Sequence, residues 1–208
     1  MKIVLGIDDF SVVNNRFLWL LALRDHFVNF KISLFTVPID EKKDWGPYQI
    51  RDEYLKEIKN NLDWIELIPH GLYHNSGQEM ARTTRKEFKD VLSKVEVAFE
   101  RDELSYIKGF KAPHWRWNED VVKVLDEEGW WGAIDRDKKM PCPKKFYQYN
   151  YLLNEPFWES KEEVLKLHGH IYGTKNDIGR CFENLLKLPR NTEWHFVTDF
   201  LEDKNETI

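Results

Sequence analysis

Cysteine is scarce in this sequence of 208 residues. Cys142 and Cys181 are the only two, they lie far apart, and neither belongs to a C-x-x-C pair. The chain therefore lacks the cysteines for a disulfide-rich scaffold or for a cysteine-based zinc site. So little cysteine is typical of proteins that fold in a reducing compartment.

Long apolar runs and an excess of basic residues are also absent. The longest apolar stretch, residues 17–23, is much shorter than the roughly 20 residues that a membrane-spanning helix needs. The N-terminal apolar run is too short for a signal peptide, so we expect a cytoplasmic protein without a membrane partner. Lys and Arg number 31 against 36 Asp and Glu, a net charge of −5. This acidic balance argues against a nucleic-acid partner.

The chain does contain many apolar and aromatic residues in short runs. Hydrophobic residues make up 42% and aromatic residues 14% of the sequence, enough for a sizeable core. Runs typical of strands alternate with stretches of helical period, which predicts an α/β fold with a parallel sheet, open or closed into a barrel. No linker or repeat divides the chain, so we expect a single domain over residues 1–208. The predicted strands cover residues 2–7, 31–37, 64–68, 105–110, 130–134, 146–152, 164–168 and 194–197, and the predicted helices cover residues 13–27, 51–62, 78–103, 119–128 and 178–188.

The unusual polar residues follow the predicted strands. In α/β proteins the carboxyl ends of parallel strands share one face, and in barrels that face carries the active site. Each of these residues alone could be an ordinary loop residue, but that interpretation does not explain the whole set. We expect the following residues to converge: Asp8, Asp9, His70, His74, Lys111, His114, Asp135, His168 and His170.

Two adjacent acids, Asp8 and Asp9, follow the first predicted strand. Because side chains alternate along a strand, adjacent acids cannot both point into the core. They are either solvated residues of a turn or a metal ligand beside a general base. The pair alone does not decide between these two interpretations.

Two histidines four residues apart follow the third predicted strand. His70 and His74 would meet on one face of a helical turn, close enough to bind one metal ion. Zinc held by two histidines and one carboxylate keeps an open position for water, which is typical of a catalytic site. This spacing also occurs by chance, but its place after a strand and a proline favours a metal site.

Two later segments combine cations, indoles and imidazoles. Lys111 is followed by Trp115 and Trp117 in a segment that is either an ordinary surface loop or a wall on which indoles stack against sugar faces. His168 ends a buried strand and is suited to proton transfer near neutral pH. His168 and His170 could instead form a second metal pair.

In this order the motifs resemble those of the polysaccharide deacetylase family, also called the NodB-homology domain or carbohydrate esterase family four. The resemblance extends from residue 3 to about residue 201, including a final strand and helix near residues 196–201. It implies a distorted (β/α) barrel of about seven parallel strands. The motifs that carry it are Ile7-Asp8-Asp9, His70-x-x-x-His74, Lys111-Ala112-Pro113-His114 and Leu165-Lys166-Leu167-His168.

The resemblance implies a metal-assisted hydrolysis. Asp8 would be the general base. Asp9, His70 and His74 would hold one divalent metal ion, for which we expect zinc, with other divalent transition metals as alternatives. The substrate would be an N-acetylated carbohydrate or a related small molecule, and the reaction would remove N-acetyl groups from an amino sugar or polysaccharide.

The remaining site residues also receive roles from the resemblance. Lys111 would keep the base ionised, the backbone N–H of His114 would stabilise the oxyanion, and His168 would protonate the departing amine. The residues expected to contact the substrate are Trp115, Trp117, His170 and Asp135.

The sequence also departs from the family pattern. Lys111 stands where arginine is usual, and His114 replaces a tyrosine. The fourth family motif, an acid and a tryptophan that support the catalytic histidine, has no clear match, although Asp135 or Asp137 could substitute. Two other functions therefore remain open: a metal-dependent C–N hydrolase for a non-sugar amide or a carrier-linked sugar, and a non-catalytic carbohydrate-binding protein.

Overall fold

Strands and helices alternate in the described part of the computed structural model, residues 1–11, 17–38, 48–74, 80–137, 139–171 and 173–204. The strands are β1 (Lys2–Phe10), β2 (Ile32–Thr36), β3 (Ile65–Pro69), β4 (Gly109–Lys111), β5 (Trp131–Ile134), β6 (Lys145–Gln148), β7 (Tyr151–Leu152), β8 (Val164–His170), β9 (Glu193–His195) and β10 (Glu202–Asp203). The helices are α1 (Phe17–His26), α2 (Tyr48–Lys59), α3 (Arg85–Arg101), α4 (Glu119–Glu128) and α5 (Phe182–Leu185). Short 3-10 helices lie at Pro113–Trp115, Phe157–Glu159 and Val197–Phe200. None of the helices in these ranges is long and apolar enough to cross a lipid bilayer.

The strands form two sheets of mostly parallel neighbours. The first has the order β3-β2-β1-β8-β7, with β9 paired to the start of β1, and the second has the order β4-β5-β6-β10. The pair of β10 and β6 is antiparallel. Single backbone hydrogen bonds link the sheets, from Ile107 N to Leu67 O (2.8 Å) and from Asn150 N to Lys166 O (3.0 Å). The predicted α/β class is confirmed, and the barrel is distorted because no continuous ladder joins the two sheets within the described ranges.

Strand β1 lies inside the first sheet, and its carboxyl end is next to that of β8. Its residues from Ile3 to Asp8 are buried, as the continuous apolar run predicts. The parallel register places Gly6 opposite His168 and Asp8 opposite His170. A Cβ atom at Gly6 would lie 2.5 Å from the hydroxyl oxygen of Tyr149, so glycine is required there by close packing.

The two helices that flank the second sheet begin at well-formed caps. Thr84 caps α3 in a capping box with Glu87, and the buried face of that helix includes Phe88, Leu92, Val95 and Phe99. Asn118 caps α4, and Gly129 ends it with a φ of 71°, which gives the helix the predicted bounds of residues 119–128. Because Asn118 also donates to the backbone oxygen of Thr83, the segment before α4 is tied to the start of α3.

Some strand predictions differ from the structure in their boundaries. The predicted strand over residues 146–152 is interrupted at Asn150, whose side chain bonds to Lys166 N (2.7 Å) and Val164 O (3.1 Å) and so separates β6 from β7. The predicted strand over residues 194–197 ends at His195, and a 3-10 helix occupies the next residues instead. The side chain of Asp199 accepts from Phe196 N at the start of this 3-10 helix (3.1 Å). Hydrophobic periodicity does not reveal either set of side-chain hydrogen bonds.

The predicted helix over residues 119–128 matches α4, and the one over residues 51–62 is displaced by three residues from α2. The other three helix predictions are too long. The described part of the first helix begins at Phe17, and residues 13–16 of that prediction lie outside the described residues. Helix α3 begins at Arg85, since Thr84 caps it, so the prediction is wrong for residues 80–84, and residues 78–79 lie outside the described residues. The predicted helix over residues 178–188 shortens to α5 because the carboxylate of Asp177 accepts from the backbone of residues 179 and 180 and forms a turn.

A buried carboxylate lies among the strands away from the polar strand ends. Glu66 in β3 accepts hydrogen bonds from Ser33 Oγ (2.6 Å) and Thr198 Oγ1 (2.8 Å). Burial raises the pKa of Glu66, and the two hydroxyl donors offset only part of that effect. The folded chain therefore holds this proton to higher pH than the unfolded chain does.

This raised pKa predicts a pH dependence of stability. The free energy of unfolding should fall as pH rises from the ordinary glutamate pKa through the raised one. Glu66→Gln should lose this part of the dependence and be more stable than the parent at neutral pH. Chemical denaturation across the acid range measures both, with Glu163→Gln as the control because that side chain is 82% exposed. Equal pH profiles for the parent and Glu66→Gln would contradict the prediction.

Candidate active site

The two acids at the end of β1 contact different groups. Asp8 is 2% exposed and accepts a hydrogen bond from Lys111 Nζ. Asp9 has a φ of 60°, in the left-handed region, and its carboxylate lies among histidines. This backbone conformation ends the regular alternation of the strand, so adjacent carboxylates serve two separate clusters.

The first cluster consists of Asp9, His70 and His74. Asp9 Oδ1 lies 3.1 Å from His74 Nε2 and 3.5 Å from His70 Nε2. Asp9 Oδ1 is buried, and neither nitrogen is aligned to donate to it, nor does any other described residue. Three potential ligand atoms therefore face one another with one buried oxygen unsatisfied, as ligands of a single cation would.

The second nitrogen of His70 fixes the state of its ring. His70 Nδ1 lies 3.1 Å from the backbone oxygen of Lys111. A carbonyl oxygen only accepts, so Nδ1 carries the hydrogen and Nε2 of the neutral ring keeps its lone pair. Metal-binding histidines are usually oriented by such a contact. Asp9, His70 and His74 thus fit a divalent metal ion in both distance and chemistry.

The other oxygen of Asp9 is held by His170. His170 Nδ1 donates to Asp9 Oδ2 at 2.7 Å. Burial acts to raise the pKa of Asp9, but the hydrogen bond from His170 is the main opposing effect, and that pKa lies well below its ordinary value. Asp9 is therefore ionised at neutral pH, as a metal ligand must be.

The second cluster is almost fully buried and centres on Lys111. The exposed fractions are 0% for Lys111, 2% for Asp8 and 3% for His168. Lys111 Nζ contacts Asp8 Oδ2 and lies 3.5 Å from His168 Nδ1. Asp8 Oδ2 lies 3.9 Å from Nε2 of both His70 and His168, so this carboxylate stands between the two clusters.

The charges in this cluster follow from burial and from close neighbours. Burial acts to raise the pKa of Asp8, but the ammonium of Lys111 is the main opposing effect, and that pKa lies below its ordinary value. Burial lowers the pKa of Lys111 to about 8, although Asp8 opposes that effect. Burial and the ammonium of Lys111 hold the pKa of His168 well below its ordinary value. At neutral pH the cluster contains a carboxylate, an ammonium and a neutral imidazole.

Aromatic rings enclose His168. Trp115 meets its ring edge-on at 5.1 Å, and the Tyr149 ring lies 4.9 Å away. Lys111 Nζ lies 3.6 Å from the centroid of a Trp115 ring. Sequence reasoning missed Tyr149, because a tyrosine within a predicted strand has no feature that separates it from other core residues.

Several site residues have strained backbones. Among the described residues, six other than glycine have a positive φ, and four of them lie here: Asp9, His74, His114 and Trp115. Such conformations are costly for residues with a Cβ and persist where the surrounding structure imposes them, often at functional sites. The ring of His114 lies 5.0 Å from that of His74, which places the 3-10 segment beside the first cluster.

Two predicted substrate contacts lie elsewhere. Trp117 is 5% exposed, stacks on Phe110 and donates from Nε1 to Pro141 O at 2.7 Å. Its ring belongs to the hydrophobic core, which leaves little surface for a sugar. Asp135 accepts from Lys139 N in its own loop, and no described contact joins it to either cluster. Trp115 and His170 do lie at the site.

A second group could also offer metal ligands, namely Asp8, His168 and His170. However, the ammonium of Lys111 already contacts Asp8 and approaches His168. A cation there would meet a buried positive charge at short range, which is strongly unfavourable in the protein interior. The first cluster is therefore the better metal site.

Comparison with known proteins identifies relatives by structure alone. No protein-family model matches the chain, and no curated protein matches its sequence. A chitin deacetylase from the fungal pathogen Colletotrichum lindemuthianum superposes with a TM-score of 0.63 at 12% identity, over 99% of this chain and 89% of that one. A family 4 acetyl xylan esterase from Clostridium thermocellum, in complex with a cobalt ion, gives 0.59 at 12% identity, over 96% and 89%.

A third solved structure shows that this fold also occurs without activity. A pseudoenzyme of carbohydrate esterase family four from Bacillus anthracis superposes with a TM-score of 0.60 at 16% identity, over 95% of this chain and 64% of that one. Similarity at these levels of identity establishes the fold and leaves activity to be argued from the site. The chain has the fold of carbohydrate esterase family four, the family that its sequence motifs resemble.

Proposed function

We propose that this chain, as one catalytic domain over residues 1–208, is a metal-dependent hydrolase that removes N-acetyl groups from an amino sugar or an N-acetylated polysaccharide. The observation that carries the proposal is the buried, unsatisfied Asp9 Oδ1 between two imidazole nitrogens. The buried carboxylate of Asp8, which contacts Lys111, lies 3.9 Å from one of those nitrogens, His70 Nε2. Metal ligands next to a separate ionised carboxylate are what hydrolysis of an amide requires.

The metal would be held by Asp9, His70 and His74, and zinc suits this set of one oxygen and two nitrogen ligands. When bound, a divalent ion would supply Lewis-acid polarisation of the acyl carbonyl and would lower the pKa of a nearby water. His70 is already oriented for this role by its contact with the Lys111 carbonyl. The cobalt ion in the Clostridium thermocellum relative supports a divalent ion at such a site.

Asp8 would act as the general base. Lys111 holds Asp8 as a carboxylate, so Asp8 can accept a proton from the attacking water as the water oxygen bonds to the acyl carbon. His168 is neutral at rest and must gain its proton during turnover. Its Nε2 lies 3.9 Å from Asp8 Oδ2, which is longer than a hydrogen bond in the free protein. Catalytic contacts of this kind tighten when substrate binds, and the proton would then pass from Asp8 to His168 and on to the departing amine as the C–N bond breaks.

The walls of the site are consistent with a sugar substrate. Trp115 lies at the edge of the catalytic cluster and is partly exposed, so part of its indole can face a sugar ring. The backbone N–H of His114 is proposed to donate to the developing oxyanion, a contact typically worth about 10²–10³ in rate. The partly exposed His170 remains a predicted contact for the rest of the substrate, whereas Asp135 lies in a separate loop with no described contact to either cluster.

Two other functions use the same site differently. A non-sugar amide would react at the same metal and base, because neither group reads the sugar. A non-catalytic carbohydrate-binding role is supported by the pseudoenzyme relative and by Lys111 in place of the usual arginine. The preserved pairing of Asp8 with Lys111 favours catalysis, since a binding protein has no need of a buried ionised base.

The test is an assay of acetate release by the full chain loaded with zinc. The substrates are N-acetylglucosamine oligomers, a nucleotide-linked N-acetylglucosamine and small acetamides, each with and without a chelator. We expect chelator-sensitive release from the sugars. Release from acetamides alone would favour the non-sugar amide, and sugar binding without any release would favour the non-catalytic role.

A further inference from the structure

We infer that His170 is a positioning residue that holds the metal-ligating carboxylate of Asp9 in the orientation required for metal binding. The inference rests on the proposed metal site and adds a residue to it. The family resemblance implies a substrate contact for His170. The structure shows a contact of a different kind, with His170 Nδ1 2.7 Å from Asp9 Oδ2, the shortest distance between this carboxylate and the three histidines around it.

The two oxygens of Asp9 have separate surroundings. Oδ2 accepts from His170, and Oδ1 faces His70 and His74 without receiving a hydrogen bond. A carboxylate with one oxygen fixed cannot rotate freely, so the other oxygen stays directed at the two Nε2 atoms. Without His170 the Asp9 side chain could turn away, and metal binding would have to restore its orientation.

The backbone around His170 is itself well fixed. His170 N donates to Asn176 O at 3.1 Å, and Ile178 N donates to His170 O at 2.9 Å. The register of β8 against β1 also sets His170 opposite Asp8, beside Asp9. The imidazole therefore approaches Asp9 from a rigid strand end, which is what an orienting residue needs.

Lys111 explains why His170 does not serve as a ligand of a second ion. The group formed by Asp8, His168 and His170 could bind metal only if the ammonium of Lys111 moved away from Asp8. His170 also already uses Nδ1 to donate to Asp9. Its contribution is thus to orient one ligand of the first site.

Two substitutions at His170 test the hydrogen bond to Asp9, because only one of them keeps a donor at the position of Nδ1. The amide nitrogen of asparagine lies at the same number of bonds from Cβ as imidazole Nδ1, whereas that of glutamine corresponds to Nε2. His170→Ala and His170→Gln should raise the zinc dissociation constant by about 10–100-fold, the usual effect of losing an outer partner of a metal ligand. His170→Asn should stay within a few-fold of the parent. His195→Ala is the control, because His195 bonds to Glu193 outside the site.

The experiment measures zinc dissociation constants by competition with a chelator, on full chains whose folding is checked by thermal unfolding. Visible spectra of the cobalt-saturated proteins provide a second readout. We expect the parent and His170→Asn to give the same cobalt spectrum, since the ligand set is unchanged. A changed spectrum would make His170 a ligand and overturn the inference.

Two further outcomes separate the inference from the function on which it rests. If the parent binds zinc and His170→Ala binds it equally well, the positioning role is wrong and the metal site stands. If His170→Asn is as weak as His170→Ala, the hydrogen bond to Asp9 is not the cause. If the parent binds no zinc, the proposed metal-dependent function is overturned together with the inference.

Discussion

Asp8→Asn is expected to lower kcat by about 10²–10⁴-fold while the protein keeps its bound metal, because it removes a general base and leaves every ligand in place. Asparagine has nearly the shape of aspartate and cannot accept the proton of the attacking water. Asp9 Oδ1 and both ligand nitrogens would stay where they are, since Asp8 contacts His70 only at 3.9 Å. The measurement is acetate release at saturating substrate together with the metal content of the same sample.

The control for this variant is Asp25→Asn, which removes one negative charge from an exposed position on α1. It should change neither activity nor metal content. Loss of metal in Asp8→Asn would mean that the roles of Asp8 and Asp9 are reversed. Retained activity with retained metal would remove Asp8 from the mechanism.

Lys111→Met is expected to destabilise the metal-free protein by about 3–5 kcal/mol at neutral pH. Lys111 is 0% exposed and Asp8 is 2% exposed, so the substitution leaves a buried carboxylate without its partner. Removing one member of a buried ion pair usually costs this much. Chemical denaturation of the parent and the variant, both without metal, measures the difference in the free energy of unfolding.

A double variant separates the lost charge from lost packing. In Asp8→Asn combined with Lys111→Met neither buried charge remains, so most of the stability should return. Lys111→Arg keeps the cation, so its free energy of unfolding should fall much less than that of Lys111→Met. If the double variant is as unstable as Lys111→Met alone, the loss of stability comes from packing around the lysine stem. The ion pair would then contribute little to the free energy of unfolding.

Much of the site could be predicted because its residues are unusual for their positions. Acids and histidines directly after apolar strands are hard to explain as core residues, and the parallel topology then brings their ends together. Asp8, His70 and Lys111 accordingly lie within one buried network. The fold class followed from the alternation of strand and helix patterns in the same way.

The remaining features depend on geometry that residue types do not encode. Tyr149 packs on His168 because Gly6 leaves room for it across the sheet, and neither residue type signals that contact. The contact of His170 with Asp9 requires the left-handed conformation of Asp9. Trp117, predicted to face a sugar, is buried because its indole stacks on Phe110 and donates to the backbone oxygen of Pro141.

The central claim is that Asp9, His70 and His74 bind one divalent metal ion. Calorimetric titration of the metal-free full chain with zinc tests it most directly, with His70→Ala and His195→Ala measured alongside. We predict one zinc ion per chain for the parent and for His195→Ala, and for His70→Ala a loss of affinity greater than the roughly 10–100-fold typical of an outer partner. No zinc binding by the parent, or equal binding by all three proteins, would contradict the claim.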